Sequence, residues 1–244
     1  MANSFRKPNI TLFPSPTFGL PRGTFGRGIY APQAIVLHAL RVTLDEYDAL
    51  TRGIAIRNRA EIRHPSCHYA IDYSGACHQY VEDADIAWSF WDADMQHFPS
   101  AFPAGAWSFL TTYPGVSPDN YVLNVAVVSG EVGGQLVTPP TATPFPPAML
   151  VTTARLIAWL CHTYTIPCDT THIVPHSQID LQFARICPGD DYPYALVLAA
   201  AQQIVNAGGE PPDDIFSFQD WQRFFGPFRI DFSFISSAAY VDNP

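Results

Sequence analysis

Two histidines and a cysteine in this 244-residue chain are flanked as the ligands of a catalytic metal would be. His38 closes an apolar run, Ile35-Val-Leu-His38. His176 follows Ile173-Val-Pro, and Cys187 sits on a Cys187-Pro-Gly189 turn with Arg185 two residues before it. Two imidazoles and a thiolate make three protein ligands. A catalytic zinc needs three, because the fourth position holds the reactive water. A structural zinc takes four, often from close pairs such as C-x-x-C, and the five cysteines at 67, 77, 161, 168 and 187 contain no such pair. Taken singly, each residue also reads as an ordinary polar side chain or buried thiol; the weight comes from the segments around them. His64, His78, His97, His162 and His172 lack such surroundings.

Those segments are strands and helices by their periodicity. Ala34–Leu40, Tyr69–Ile71 and residues 121–128 are apolar runs rich in β-branched or aromatic residues and read as strands. Residues 43–52 read as a short helix, opened by Thr43 three residues before Glu46 in the manner of a capping box. Leu150, Ala154, Ile157, Leu160, Cys161 and Tyr164 recur at helical spacing, as do Tyr194, Val197, Leu198, Ala201 and Val205. The long Trp-, Pro- and Gly-rich stretch between Trp88 and Asn120 has the character of a functional or interface-forming loop. Residues 1–32, dense in Pro and Gly, read as an extended arm. Residues 33–208 hold the periodic elements. Residues 209–244 form a second arm, carrying Phe216, Phe218, Trp221, Phe224, Phe225, Phe228, Phe232 and Phe234. That much exposed aromatic surface must fold back on the domain or dock on a partner, so both arms are expected to be assembly elements of a larger particle such as a virion.

Composition narrows the classes. Hydrophobic residues make up 48%, enough for a core, and charged residues only 14% beside 23 prolines. A net charge of −9 argues against sequence-independent nucleic-acid binding, which needs clustered Lys and Arg. The N-terminus, with one basic pair and no apolar core behind it, is not expected to be a signal peptide, and no segment reaches the roughly 20 apolar residues of a membrane span. Cys67 with Cys77, or Cys161 with Cys168, could pair if oxidised; synthesis without an export signal favours free thiols.

In four places, in order, the chain resembles the zinc-dependent N-acetylmuramoyl-L-alanine amidases, the family of phage lysins, bacterial recycling amidases and peptidoglycan-recognition proteins. The first is Ile35-Val-Leu-His38-Ala. The second is Pro65-Ser-Cys-His-Tyr-Ala-Ile71, with Gly75, Gln79-Tyr-Val81 and Ala87-Trp88 after it. The third is the helical run 150–164 leading through Ile166-Pro167 into Ile173-Val-Pro-His176-Ser-Gln-Ile, and the fourth is Arg185-Ile-Cys187-Pro-Gly189. The resemblance spans roughly residues 33–206. It implies an α/β fold, a mixed central β-sheet flanked by helices, from which the two arms extend. It also implies Zn2+ on His38, His176 and Cys187, and muramyl peptide of peptidoglycan as substrate.

The same resemblance marks departures. Arg185 stands where the family has Lys, keeping the charge but changing a point donor into a fork. One branch places a Tyr base where this chain has Cys67; another places Glu at the end of an I-G-I-E strand, which here reads Leu123-Asn-Val-Ala126; the His of A-W-H is Ser89. Glu131, just beyond that strand, and His68, beside Cys67, are the remaining shuttle candidates, so the catalytic candidates are Arg185, Cys67, His68 and Glu131. Loss of a general base typically costs about 10²–10⁴ in rate. The leading expectation is a phage virion-associated amidase with a weakened shuttle, carried in the particle or present in the host cytoplasm before release. The alternative is a non-catalytic structural protein of a phage tail, baseplate or capsid that keeps the fold and the zinc site.

Overall fold

The computed structural model describes residues 5, 7–14, 30–40, 43–56, 66–89, 112–113, 116–128, 131–132, 135–136, 145–179, 187–189 and 192–209. The 88–120 loop falls largely outside these residues, and the aromatic tail from 210 onward falls wholly outside them.

Two strands make the centre of the molecule. β2 (Ala34–Leu40) and β5 (Val122–Val128) pair in parallel over their full length, from Ala34 opposite Val122 to Leu40 opposite Val128. Both are buried almost end to end. Parallel strands covered on both faces read as continuous apolar runs, which is how both segments appear in sequence. β8 (Ile173–Pro175) joins the other side of β2, also parallel. On the far side of β5 lie β3 (Tyr69–Ile71), parallel to it, and β4 (Cys77–Gln79), antiparallel to β3. The sheet is completed by β1 (Thr11–Leu12), giving the order β1-β4-β3-β5-β2-β8. A hairpin of β6 (Glu131–Val132) and β7 (Gln135–Leu136) forms a separate sheet.

Side-chain alternation divides the core. Ile35, Leu37, Leu123, Val125 and Ile173 pack in the large cluster with α2 (Pro147–Tyr164) and α4 (Tyr194–Asn206), which pack on each other. Ala34, Val36, Val122 and Val174 pack in a second cluster with Tyr121 and Ile179. His38 follows Val36 by two residues and shares its face. The helices begin and end where local chemistry directs. α1 (Leu44–Ile56) opens on the expected capping box: the Glu46 N–H donates to Thr43 Oγ1 at 3.2 Å and the Thr43 N–H to Glu46 Oε2 at 2.8 Å. It runs past the expected end at residue 52. α2 starts with Pro147 at its first position, where a missing N–H costs nothing, and the Ile166 N–H closes its end on the Cys161 carbonyl.

Part of the N-terminal segment is seated on the sheet. Residues 7–14 are extended, but they belong to the folded unit. β1 adds a parallel edge strand to β4, and the Phe13 N–H donates to the Gln79 carbonyl at 2.7 Å. Phe5 stacks on His162 of α2 at 3.9 Å, and the Lys7 ammonium lies 4.9 Å from the Trp159 ring centre. Proline density forbids helix, but it does not forbid pairing at a sheet edge. All five cysteines are free thiols, and among the described residues no helix is long and apolar enough to cross a membrane.

The β3–β4 turn depends on Gly75. Asp72 Oδ1 accepts from the N–H groups of Ser74 and Ala76, and Gly75 between them takes φ +83°. A Cβ there would sit 2.8 Å from the Ala148 carbonyl oxygen at the start of α2. Gly75→Ala combines an unfavourable left-handed backbone with a clash against main chain, and should cost about 2 kcal/mol or more in urea denaturation. An unchanged unfolding midpoint would contradict this account of the turn.

Candidate functional site

Strand register brings the histidines together. Ile35, Val36 and Leu37 pair with Ile173, Val174 and Pro175, so the next step along both strands places His38 beside His176, the first residue of α3 (His176–Ile179). Their ring centres are 4.5 Å apart. Both lie toward the carboxyl ends of parallel strands, where α/β sheets build their sites. Cys187 is drawn in by two backbone bonds. The Ser177 N–H donates to the Cys187 carbonyl at 2.9 Å, and the Ala39 N–H donates to Cys187 Sγ at 3.0 Å. An N–H aimed at sulfur favours the thiolate.

The three donor atoms lie within 4.8 Å of one another. A tetrahedral zinc with bonds of about 2.0–2.3 Å holds its ligands roughly 3.3–3.8 Å apart, so only a small inward movement is needed. The chemistry of the set fits as well. Burial first, then repulsion from His176, holds His38 well below the usual imidazole range, against an opposing hydrogen bond to Asn124. Burial lowers His176 to about 4. Both rings are therefore neutral near pH 7, with lone pairs available to a metal, and two neutral imidazoles with one sulfur suit zinc.

Sequence reading missed the residue that orients His38. Asn124, wholly buried on β5, places its Oδ1 3.0 Å from His38 Nε2. Its Nδ2 donates to the Ala87 carbonyl at 3.1 Å and to Asp119 Oδ1 at 3.2 Å, while its own N–H donates to His68 Nδ1 at 2.9 Å. Asp119 is also fully buried and accepts from the Ser89 N–H at 3.1 Å. The available signal was a single amide inside an apolar strand, where a buried polar group must find partners.

Two of the catalytic candidates, Cys67 and His68, are buried among other partners. Burial pushes the Cys67 thiol up to about 12, with a long contact of 4.0 Å to the Tyr47 hydroxyl, so it stays protonated at neutral pH and cannot serve as a base. His68 is fully buried. Its Nδ1 accepts the Asn124 N–H, and its Nε2 donates to the Asp85 carbonyl at 3.3 Å, so the ring ties β5 to the loop before Ala87. That is a structural role. Ser89 is likewise engaged, its hydroxyl donating to the Ser66 carbonyl at 2.7 Å. Ala126 pairs directly with His38 across β2 and β5, placing a methyl group where a carboxylate would face the ligands. Glu131 begins the separate β6–β7 hairpin; its side chain, like Arg185, lies outside the described residues.

Comparison with known proteins bears on the family and the fold. Residues 29–190 match the sequence profile of the N-acetylmuramoyl-L-alanine amidase family. A comparison with curated protein sequences gives no match. Among solved structures, the endolysin N-acetylmuramoyl-L-alanine amidase LysCS from Clostridium intestinale URNW is similar at 15% identity, covering 82% of this chain and 99% of its own, with a TM-score of 0.50. An AmpD derivative is similar at 17% identity, over 80% of this chain and 96% of its own, also at 0.50. These likenesses establish the shared fold.

The thiol surroundings predict a pH dependence. Cys67 and Cys77 are both raised from an ordinary 9.0 to about 12, chiefly by burial. A raised acid stabilises the fold below the unfolded value, and that contribution is lost as pH climbs toward the folded one. Stability should therefore fall between about pH 9 and 12, by about 1.4 kcal/mol per pH unit per thiol. Urea titrations of wild type and Cys67→Val across this range should show a shallower slope for the variant; equal slopes would contradict the assignment.

Proposed function

The chain belongs to the N-acetylmuramoyl-L-alanine amidase family and is a peptidoglycan amidase, and from that premise we propose that it works with one zinc ion held by His38, His176 and Cys187. The observation that carries the zinc reading is the convergence of two neutral imidazoles and a sulfur within 4.8 Å at the carboxyl end of the parallel strands. The bond cut would be the amide joining the lactyl group of N-acetylmuramate to L-alanine. A zinc bound there would supply a Lewis acid and lower the pKa of its water to about 7.

The chain's own residues set what else is possible. The Ala39 N–H supports Cys187 as a thiolate, and Asn124 fixes the ring of His38. Arg185, two residues before Cys187, is the proposed cation for the developing oxyanion, and Glu131 is the proposed carrier of the proton. With Ala126 opposite His38 and a protonated Cys67, neither usual base position is filled. This supports slow turnover, and it is the specific observation favouring the second reading, a particle protein that retains the fold and the site. The aromatic-rich segment after Gly209 is proposed as a docking or self-assembly element, consistent with a particle-borne amidase.

Purified protein should release new L-alanine N-termini from bacterial cell walls slowly, stop when zinc is stripped with a chelator, and recover when zinc is restored. Ala126→Glu should raise the rate at least about tenfold, because a carboxylate would then stand beside His38. Absence of new L-alanine termini from both proteins at full zinc occupancy would favour the structural reading.

A further inference from the structure

We propose that Asn124 is a positioning residue that holds His38 as its Nε2–H tautomer, presenting Nδ1 to the metal. The inference deepens the zinc reading above and rests on it for the metal. The tautomer itself follows from hydrogen-bond geometry alone. An amide can be turned either way round, so its orientation has to come from its partners. Here Nδ2 faces the Ala87 carbonyl at 3.1 Å, which cannot donate, and at 3.2 Å the Asp119 Oδ1 that already accepts the Ser89 N–H. Turning the amide over would press its oxygen against both. Oδ1 therefore points at His38, 3.0 Å away, and only a protonated Nε2 can satisfy it. The proton on Nε2 leaves the lone pair on Nδ1.

Asp119 anchors the arrangement from behind. It is fully buried, and the backbone N–H of Ser89 donates to the same Oδ1 that accepts from Asn124. The order is thus ligand, neutral amide, carboxylate. Metal-bound histidines usually donate their second N–H to a carboxylate, a carbonyl or a water. In this chain the direct partner is an amide carbonyl, which orients the ring without adding charge next to the ligand. The carboxylate sits one hydrogen bond further away. A zinc held there would keep more of its positive charge for polarising substrate than with a carboxylate directly against His38.

The test reads the imidazole directly. Long-range proton–nitrogen correlation spectra of the full chain without metal should show His38 protonated on Nε2. After loading with cadmium-113, its coupling to metal should run through Nδ1. Asn124→Ala should give a mixture of tautomers and weaken zinc binding, measured by chelator competition, about 10- to 100-fold. Asp119→Asn, which keeps the shape, should loosen the tautomer with a smaller loss of affinity, and it carries the test should Asn124→Ala fail to fold. A wild-type His38 protonated on Nδ1 would overturn the proposal. So would an Asn124→Ala protein whose tautomer is unchanged and whose zinc affinity stays within about twofold. An Nε2–H wild type that binds no zinc would leave the positioning role of Asn124 standing and sink the zinc reading instead.

Discussion

The register of β2 between β5 and β8 is the constraint on which the rest of the structure hangs. β2 is parallel to both neighbours and buried on both faces, so its alignment is set by the apolar residues that fill the two core clusters. A slip of one residue would send His38 into the helical face and Leu37 toward the site. With the register in place, His38 meets His176 on one side and Ala126 on the other, and its backbone neighbour Ala39 meets Cys187. Ordinary hydrophobic packing thereby positions the chemical groups. The site in turn depends on polar groups that packing alone would reject. A buried amide left without partners costs about 1–3 kcal/mol, and the Asn124 side chain avoids that cost because Ala87, Asp119 and His38 bond to it, while His68 accepts its backbone N–H.

Partly buried polar networks recur away from the site, with different consequences. The Asp83 carboxylate accepts hydroxyl bonds from Tyr69 of β3 at 2.6 Å and Tyr164 of α2 at 2.7 Å, joining the sheet to the helix that covers it. Asp48 of α1 accepts from Tyr80 at 2.6 Å and lies 3.2 Å from His78 Nδ1, joining α1 to β4. Phe13, just beyond β1, stacks on that same His78 at 5.5 Å. The N-terminal segment is therefore seated on residues that already secure α1 and α2, and the domain is closed at its sheet edge by its own chain.

The three residues that converge were legible in sequence because each is embedded in a segment whose periodicity can be read: an apolar strand before His38, another before His176, and a Pro-Gly turn after Cys187. The central strands, the two long helices and the Thr43–Glu46 capping box were legible for the same local reason. What sequence could not supply depends on partners distant along the chain. Asn124 reads as a single polar letter in an apolar strand; its role exists only once Ala87, Asp119 and His38 surround it. Residues 7–14 carry no alternation strong enough to announce β1, whose pairing with β4 spans more than sixty residues. Cys67 and His68 looked chemically able because the residue types suit proton transfer. The thiol is buried and both ring nitrogens have backbone partners, which the residue types alone could not show.

The central claim is one zinc with two nitrogen ligands, one sulfur ligand and one open position. X-ray absorption at the zinc edge of the reconstituted full-length protein tests it most directly. The account predicts a four-coordinate ion with a single sulfur near 2.3 Å and light-atom ligands near 2.0–2.1 Å, the sulfur disappearing in Cys187→Ser. A first shell with no sulfur in the wild type, or with several sulfurs as in a closed structural site, would contradict it.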